Sequence, residues 1–191
     1  MQTLIEWDKW LFRLINEQWS NGFMDWLAPY LRTQQLWNPL YLFLILFAVM
    51  NYKKNGWLWV LGMTITIITT NFVSSNLIKE NISRLRPCND PSMADWVNVL
   101  VGYRPKSSSF TSSHAANHFG IAMFLYYTFR NEFPKWITGL FFLWAASICY
   151  AQVYVGVHYP IDVACGAIIG LVIGYLYAKA FNRYIGLHNQ P

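Results

Sequence analysis

Apolar positions in this chain come in blocks, not in stripes. Two runs, Trp57–Ile78 and Trp136–Val157, are each 22 residues long and contain no Asp, Glu, Lys or Arg. About 20 apolar residues match the thickness of a bilayer's hydrocarbon core, and a soluble domain has little use for such runs. Read along the chain, the pattern predicts five spans, at about 36–52, 56–78, 113–129, 135–156 and 159–180. Lys53 and Lys54 close the first and Arg130 closes the third. The last span is the weakest by hydropathy, but its CGAIIG segment supplies the small residues that let helices approach closely.

The first 35 residues follow a different rhythm. Charges recur every few positions, while Trp7, Trp10, Leu11, Leu14 and Ile15 can share one helical stripe. That predicts helices lying in the headgroup layer with tryptophan at the interface. A sixth, poorly hydrophobic span packed inside the bundle is the alternative. Glu6, Asp8, Lys9, Arg13 and Glu17 leave no apolar core for a cleavable leader in residues 1–20, and none is expected. The expected fold is an all-α polytopic membrane bundle of about five transmembrane helices with N-terminal interfacial helices. Its expected divisions are an interfacial segment at 1–35, a transmembrane domain at 36–184 and a tail at 185–191.

Composition agrees. The 191 residues are 55% hydrophobic and only 12% charged, about half the charge of a soluble domain. The expected surroundings are a bilayer, and no nucleic-acid partner is implied. Cys149 and Cys165 fall in spans and Cys88 in a loop, so no disulfide framework follows. Five spans put residues 1–35, the long 79–112 loop and the 157–162 turn on one side. That side holds eight basic residues (Lys9, Arg13, Arg32, Lys79, Arg84, Arg86, Arg104 and Lys106) and eight acids. The other side holds Lys53, Lys54, Arg130, Lys135, Lys179 and Arg183 against Glu132 alone. Its short, almost purely basic connections favour the cytoplasm, which turns the long loop outward.

That outward side collects unusual chemistry. Lys79 and Arg86 lie seven residues apart, two turns of one helix if the helix persists, and Pro87 would then end it. Ser112, Ser113 and His114 stand at the start of the third span. His158 and Asp162 lie four apart across the start of the fifth, where Pro160 suits the first helical position. Free helix N–H groups, serine hydroxyls and Lys/Arg together describe an anion site, and phosphate fits best. An Asp beside a His can hold one imidazole N–H and make the other nitrogen a better nucleophile. A second His can protonate a leaving oxygen. Zinc ligation by His114, His118, His158 and Asp162 is a weaker reading, because the surrounding Lys and Arg would repel a cation. His118 is expected to face the bundle or a neighbouring helix.

The order and spacing of these residues resemble the type 2 phosphatidic acid phosphatase family of membrane lipid phosphatases. Its pattern is K-x6-R-P, then P-S-G-H, then S-R-x5-H-x3-D. Lys79, Arg86 and Pro87 meet the first part in full. Thr111-Ser112-Ser113-His114 keeps the serine and histidine of the second, and Ala151-Gln152 followed by His158 and Asp162 keeps the His and Asp of the third. The resemblance implies a six-helix bundle whose first span is missing here, with the active site on the outer face, probed by lipid phosphate in a bacterial inner membrane. It implies that His158 attacks phosphorus and forms a phosphohistidine, that Asp162 orients it, and that His114 protonates the leaving oxygen and then activates water. Lys79, Arg86, Ser112 and the backbone N–H groups of Ser113 and His114 would hold the phosphoryl oxygens, with no metal or other cofactor. Gln152 stands where the family has an arginine, so another cation is expected to replace it, and Arg104, just before the serine cluster, is the first candidate. The same substitution motivates a second reading, a non-catalytic lipid-phosphate binder or carrier. Phosphatidate, phosphatidylglycerol phosphate, undecaprenyl diphosphate and a lipid A phosphate all fit the chemistry, and the small chain favours a compact headgroup.

Overall fold

The computed structural model describes residues 2–188, which form helices and loops with no strand among them. Two short helices come first, α1 (Gln2–Arg13), prolonged by a π-helical turn at Leu14–Gln18, and α2 (Gly22–Leu31). Their 12 and 10 residues reach about 18 and 15 Å, far short of a hydrocarbon core of about 30 Å. They lie against the bundle with an inverted face. Asp8, Phe12 and Asn16 are buried, while Trp7, Trp10, Trp19, Phe23, Trp26 and Tyr30 point outward. The Asn16 amide explains how a polar residue tolerates that burial. It donates to the carbonyls of Asn98 and Tyr154, both at 2.7 Å, and accepts the Asn98 N–H at 2.9 Å. Outward tryptophans and a satisfied polar underside set this segment apart from the helices of the bundle.

Helix α3 (Asn38–Asn71) is two arms. Lys53 has φ 49° and ψ −117°, and the chain folds back there. Gly56 permits the reversal, because a Cβ on it would sit 2.1 Å from the Ala48 carbonyl oxygen. The second arm continues into a π-helical stretch, Phe72–Lys79. Helices α4 (Ser113–Phe129), α5 (Lys135–Tyr154) and α6 (Pro160–Tyr184) complete the bundle. Among the described residues, three helical stretches are long and apolar enough to cross a membrane, Gln34–Lys79, Lys135–Tyr154 and Pro160–Tyr184, and the first contains both arms of α3. Helix α4, at 17 residues, packs between them.

The tightest contact is α4 on α6. A Cβ on Gly166 would lie 2.4 Å from the Ser112 carbonyl oxygen, one on Gly170 2.2 Å from that of Ala116, and one on Gly174 2.4 Å from that of Gly120. This four-residue spacing of glycines brings the two backbones together, as the CGAIIG segment suggested. Below it, Trp59, Phe124, Leu125 and Phe129 fill the core, with the Trp59 indole N–H donating to Thr128 at 2.9 Å. Close packing of α4 on α6 places the start of α4 beside the start of α6, where the site lies.

Candidate active site

Lys79 and Arg86 do not share a helix. The helix stops at Lys79, and residues 82–86 run without helical structure into Pro87, which opens a short 3₁₀ turn instead of ending a helix. Local pattern loses here to the serine loop, which offers the backbone other partners. The Arg84 N–H donates to the Ser108 hydroxyl at 3.1 Å, and the Ser109 N–H donates to the Arg84 carbonyl at 2.8 Å. Arg86 is nearly buried and knits the loops together. Its Nε donates to the Ser107 carbonyl at 2.9 Å, Nη2 to the Ser107 hydroxyl at 3.1 Å, and Nη1 to the Val157 carbonyl at 3.0 Å. Ser107, Ser108 and Ser109 are therefore scaffold, and the serines of the cluster left for a binding role are those at the start of α4.

His158 sits behind Arg86, 2% exposed, with Nε2 3.0 Å from Arg86 Nη1. A guanidinium can only donate, so Nε2 accepts and the neutral ring carries its proton on Nδ1. That proton faces Asp162, whose Oδ2 is 3.7 Å from Nδ1, in ion-pair range but too long for a hydrogen bond. The Asp162 carboxylate is held elsewhere. Oδ2 accepts the Ser109 hydroxyl at 2.5 Å and the Tyr159 N–H at 2.9 Å, and Oδ1 accepts Arg84 at 2.5 Å. Arg84 also binds Asp8 of α1 at 2.5 Å and lies 4.2 Å over the Tyr159 ring. Asp8 in turn accepts the Ile161 N–H at 2.9 Å, satisfying the first turn of α6. Burial works against the charge of Arg84, but Asp162 and Asp8 outweigh it and raise its pKa. Burial pushes His158 down to about 4, Arg86 adding to the effect and Asp162 opposing it.

The remaining candidates gather nearby. Ser112 caps α4: its hydroxyl accepts the Ala115 N–H at 3.4 Å, and its own N–H donates to the Asp162 carbonyl at 3.0 Å. The Ser113 hydroxyl pairs with Ser75 at 2.8 Å, while the N–H groups of Ser113 and His114 lie in a first turn that no helical carbonyl reaches. The His114 ring has no hydrogen-bond partner among the described residues, and neither has the Lys79 ammonium. His118 turns away as expected. Its Nδ1 donates to the His114 carbonyl at 2.8 Å, and its Nε2 meets the hydroxyl of Tyr41, on the first arm of α3, at 3.3 Å.

Gln152 is fully buried, and the cation beside it is Arg32, Nε to Oε1 3.4 Å. Arg104 goes instead to the Cys88 carbonyl at 2.6 Å. A cavity of about 400 Å³ lined by Arg32, Thr33, Gln34, Gln35, Tyr103 and His114 opens above these groups. Sequence reasoning missed Arg32, Asp8, Ser109 and Ser75 as parts of the site. Only the absent charge at Gln152 signalled that some cation must arrive from elsewhere. Taken together, an imidazole whose unprotonated nitrogen is held by Arg86 lies near further cations, orphan N–H groups and a second imidazole. Such a set can receive an anion and attack it.

The sequence profile of the PAP2 superfamily matches residues 55–185. A lipid A 4'-phosphatase of Bacteroides thetaiotaomicron is 32% identical over 157 residues, covering 81% of this chain and 68% of that protein. An undecaprenyl-diphosphatase of Sulfolobus acidocaldarius is 32% identical over 169 residues, covering 87% of this chain and 74% of that protein. The crystal structure of a transmembrane PAP2-type phosphatidylglycerolphosphate phosphatase from Bacillus subtilis superimposes with a TM-score of 0.75 at 21% identity, covering 97% of this chain and 89% of that one.

Proposed function

This chain belongs to the PAP2 superfamily, and we propose that it cleaves its lipid phosphate by attack of His158 Nε2 on phosphorus. It is an integral membrane lipid-phosphate phosphatase. The observation that supports the assignment is the protonation pattern of His158: Nε2 carries the lone pair, which accepts from Arg86 until that N–H passes to the phosphate, Nδ1 is protonated, and Asp162 lies behind it. In the first step Nε2 bonds to phosphorus as the P–O bond to the lipid breaks, and His114 gives its proton to the departing oxygen. The growing positive charge on the ring is met by Asp162. Water then attacks the phosphohistidine and passes a proton to His114, and the P–N bond breaks to release inorganic phosphate. Lys79, the Ser112 hydroxyl and the N–H groups of Ser113 and His114 hold the phosphoryl oxygens, where charge spreads during transfer, and Arg86 joins them with the N–H it now gives to His158 Nε2. These groups leave no step that needs a metal.

The amides and hydroxyls of Thr33, Gln34, Gln35 and Tyr103 on the cavity rim suit a headgroup bearing hydroxyls. The Bacteroides relative is named for lipid A, so a small chain does not require a compact headgroup. We therefore place a phosphorylated glycolipid of the lipid A type first and undecaprenyl diphosphate second, with five membrane crossings and the cavity on the extracytoplasmic face of a bacterial inner membrane. The test is phosphate release by the purified protein in detergent from lipid A phosphate, undecaprenyl diphosphate, phosphatidate and phosphatidylglycerol phosphate, with and without EDTA. Release should be fastest from lipid A phosphate, unaffected by EDTA and absent in His158→Ala. Release confined to undecaprenyl diphosphate would overturn the glycolipid reading, and binding without release from any of the four would identify a carrier.

A further inference from the structure

We propose that Arg32, from the interfacial segment, supplies the phosphate-gripping guanidinium that position 152 lacks, and that Gln152 positions it. The inference rests on the phosphatase reading above. Gln152 lies near the end of α5, and its backbone carbonyl accepts the N–H groups of Val157 and His158, both at 3.3 Å. An arginine there would enter the site from within the bundle. The glutamine instead presents Oε1 to Arg32 Nε at 3.4 Å, which turns its Nε2 the other way. That Nε2 is buried and has no hydrogen-bond partner among the described residues. A buried donor left unpaired is costly, and a phosphoryl oxygen would satisfy it.

Arg32 is held for the same purpose. Its Nη2 donates to the Tyr103 hydroxyl at 3.1 Å, and the guanidinium lies 5.7 Å from the Tyr103 ring centroid. Its Nη1 has no partner among the described residues, and no carboxylate among them pairs with it. It lines the cavity that His114 also lines. The competing cations are otherwise engaged: Arg84 is neutralised by Asp8 and Asp162, and Arg104 donates to the Cys88 carbonyl. Two guanidinium groups at one spot would repel, so an arginine at 32 and a glutamine at 152 form a consistent pair.

Four proteins decide the matter: wild type, Arg32→Ala, Arg32→Gln, and Arg32→Ala combined with Gln152→Arg. Arg32→Gln places its amide nitrogen near the present Nε, so it can still donate to Gln152, but it carries no charge, which guards against a simple folding defect. Each is measured for kcat/KM on the lipid phosphate that wild type cleaves fastest, for calorimetric affinity toward inorganic phosphate, and for melting temperature in detergent. Loss of a charge-assisted bond to a desolvated anion predicts that both single variants fall about 10- to 150-fold in kcat/KM. Phosphate affinity should fall with it, the melting temperature of Arg32→Gln should hold, and the Gln152→Arg combination should recover a substantial share. Near-wild-type kcat/KM and phosphate affinity in Arg32→Gln would overturn the proposal. So would an activity loss with unchanged phosphate affinity and no recovery in the combination, which marks a structural role. If wild type cleaves no lipid phosphate, the phosphatase reading fails, and the phosphate affinities still decide the role of Arg32; wild type that binds no phosphate overturns both.

Discussion

The proton inventory of His158 controls what the site can do, and burial dominates it. A ring held near pKa 4 against an ordinary 6.5 is neutral at physiological pH, its unprotonated Nε2 accepting from Arg86. The stability consequence has a definite sign. The unfolded chain binds a proton below about 6.5 that the folded chain refuses until about 4, so stability falls as pH drops through that window. The shift amounts to roughly 3 kcal/mol. Wild type should therefore lose melting temperature relative to His158→Asn between pH 7 and pH 4, and parallel curves would refute the buried neutral ring. Rapid-quench labelling with a phosphorus-labelled lipid tests the chemistry directly. Wild type should yield an acid-labile phosphoprotein, His158→Ala none, and His114→Ala should retain or accumulate label because its water step is slowed. Equal labelling of wild type and His158→Ala would sink the assignment. The His158–Asp162 pair was legible in the sequence because four residues across a helix start bring two side chains together. Arg32 and Asp8 were not, since their partners lie 120 and 76 residues away, distances over which no local spacing carries information.

At the scale of elements, the glycines of α6 set the site. Gly166, Gly170 and Gly174 lie against carbonyls of α4, and the first of those carbonyls belongs to Ser112. Any side chain at Gly170 must push α6 away from α4, separating the start of α4, with His114, from the turn that carries His158. Gly170→Val should thus lower melting temperature by the equivalent of about 1–3 kcal/mol and reduce kcat/KM more steeply than stability alone explains. Gly139, with nothing within 4 Å of an added Cβ, is the control, and Gly139→Ala should change neither. A tolerated Gly170→Val would mean that the α4–α6 contact does not position the histidines. The helices were readable because long apolar runs report burial, and their observed ends fall close to the expected ones. The Lys79–Arg86 stretch misled because helical spacing assumes helical backbone, and Ser108 and Ser109 drew that backbone into a loop.

The whole molecule has two chemically different ends. Opposite the site, Tyr52 donates to Glu132 at 3.2 Å, His188 meets Glu132 at 3.0 Å, and Asn182 donates to the Tyr127 carbonyl at 3.0 Å, so α3, α4 and α6 are tied together there. The six basic residues of that end include Arg130, Lys179 and Arg183, each laid against a tyrosine ring at 4.0, 5.6 and 5.4 Å, as expected of side chains reaching from a helix end to the membrane surface. The site end carries eight Lys and Arg, which taken alone would place it in the cytoplasm. Structure accounts for most of them. Lys9, Arg13 and Arg84 pair with carboxylates, while Lys79, Arg86 and Arg32 face or frame the proposed phosphate. Two remain, Arg104 and Lys106, against six at the opposite end. We infer that the basic end is cytoplasmic and the cavity extracytoplasmic, reached across five crossings. Single cysteines at Ser20 and Lys54, both exposed, in a background without Cys88, Cys149 and Cys165, can be probed with an impermeant thiol reagent on intact bacteria. Ser20→Cys should label at once and Lys54→Cys only after permeabilisation. The reverse pattern would turn the site toward the cytoplasm, where its lipid would have to be met on the inner leaflet. Labelling of both on intact cells would place two ends of one membrane-spanning arm on the same face, which five crossings do not allow.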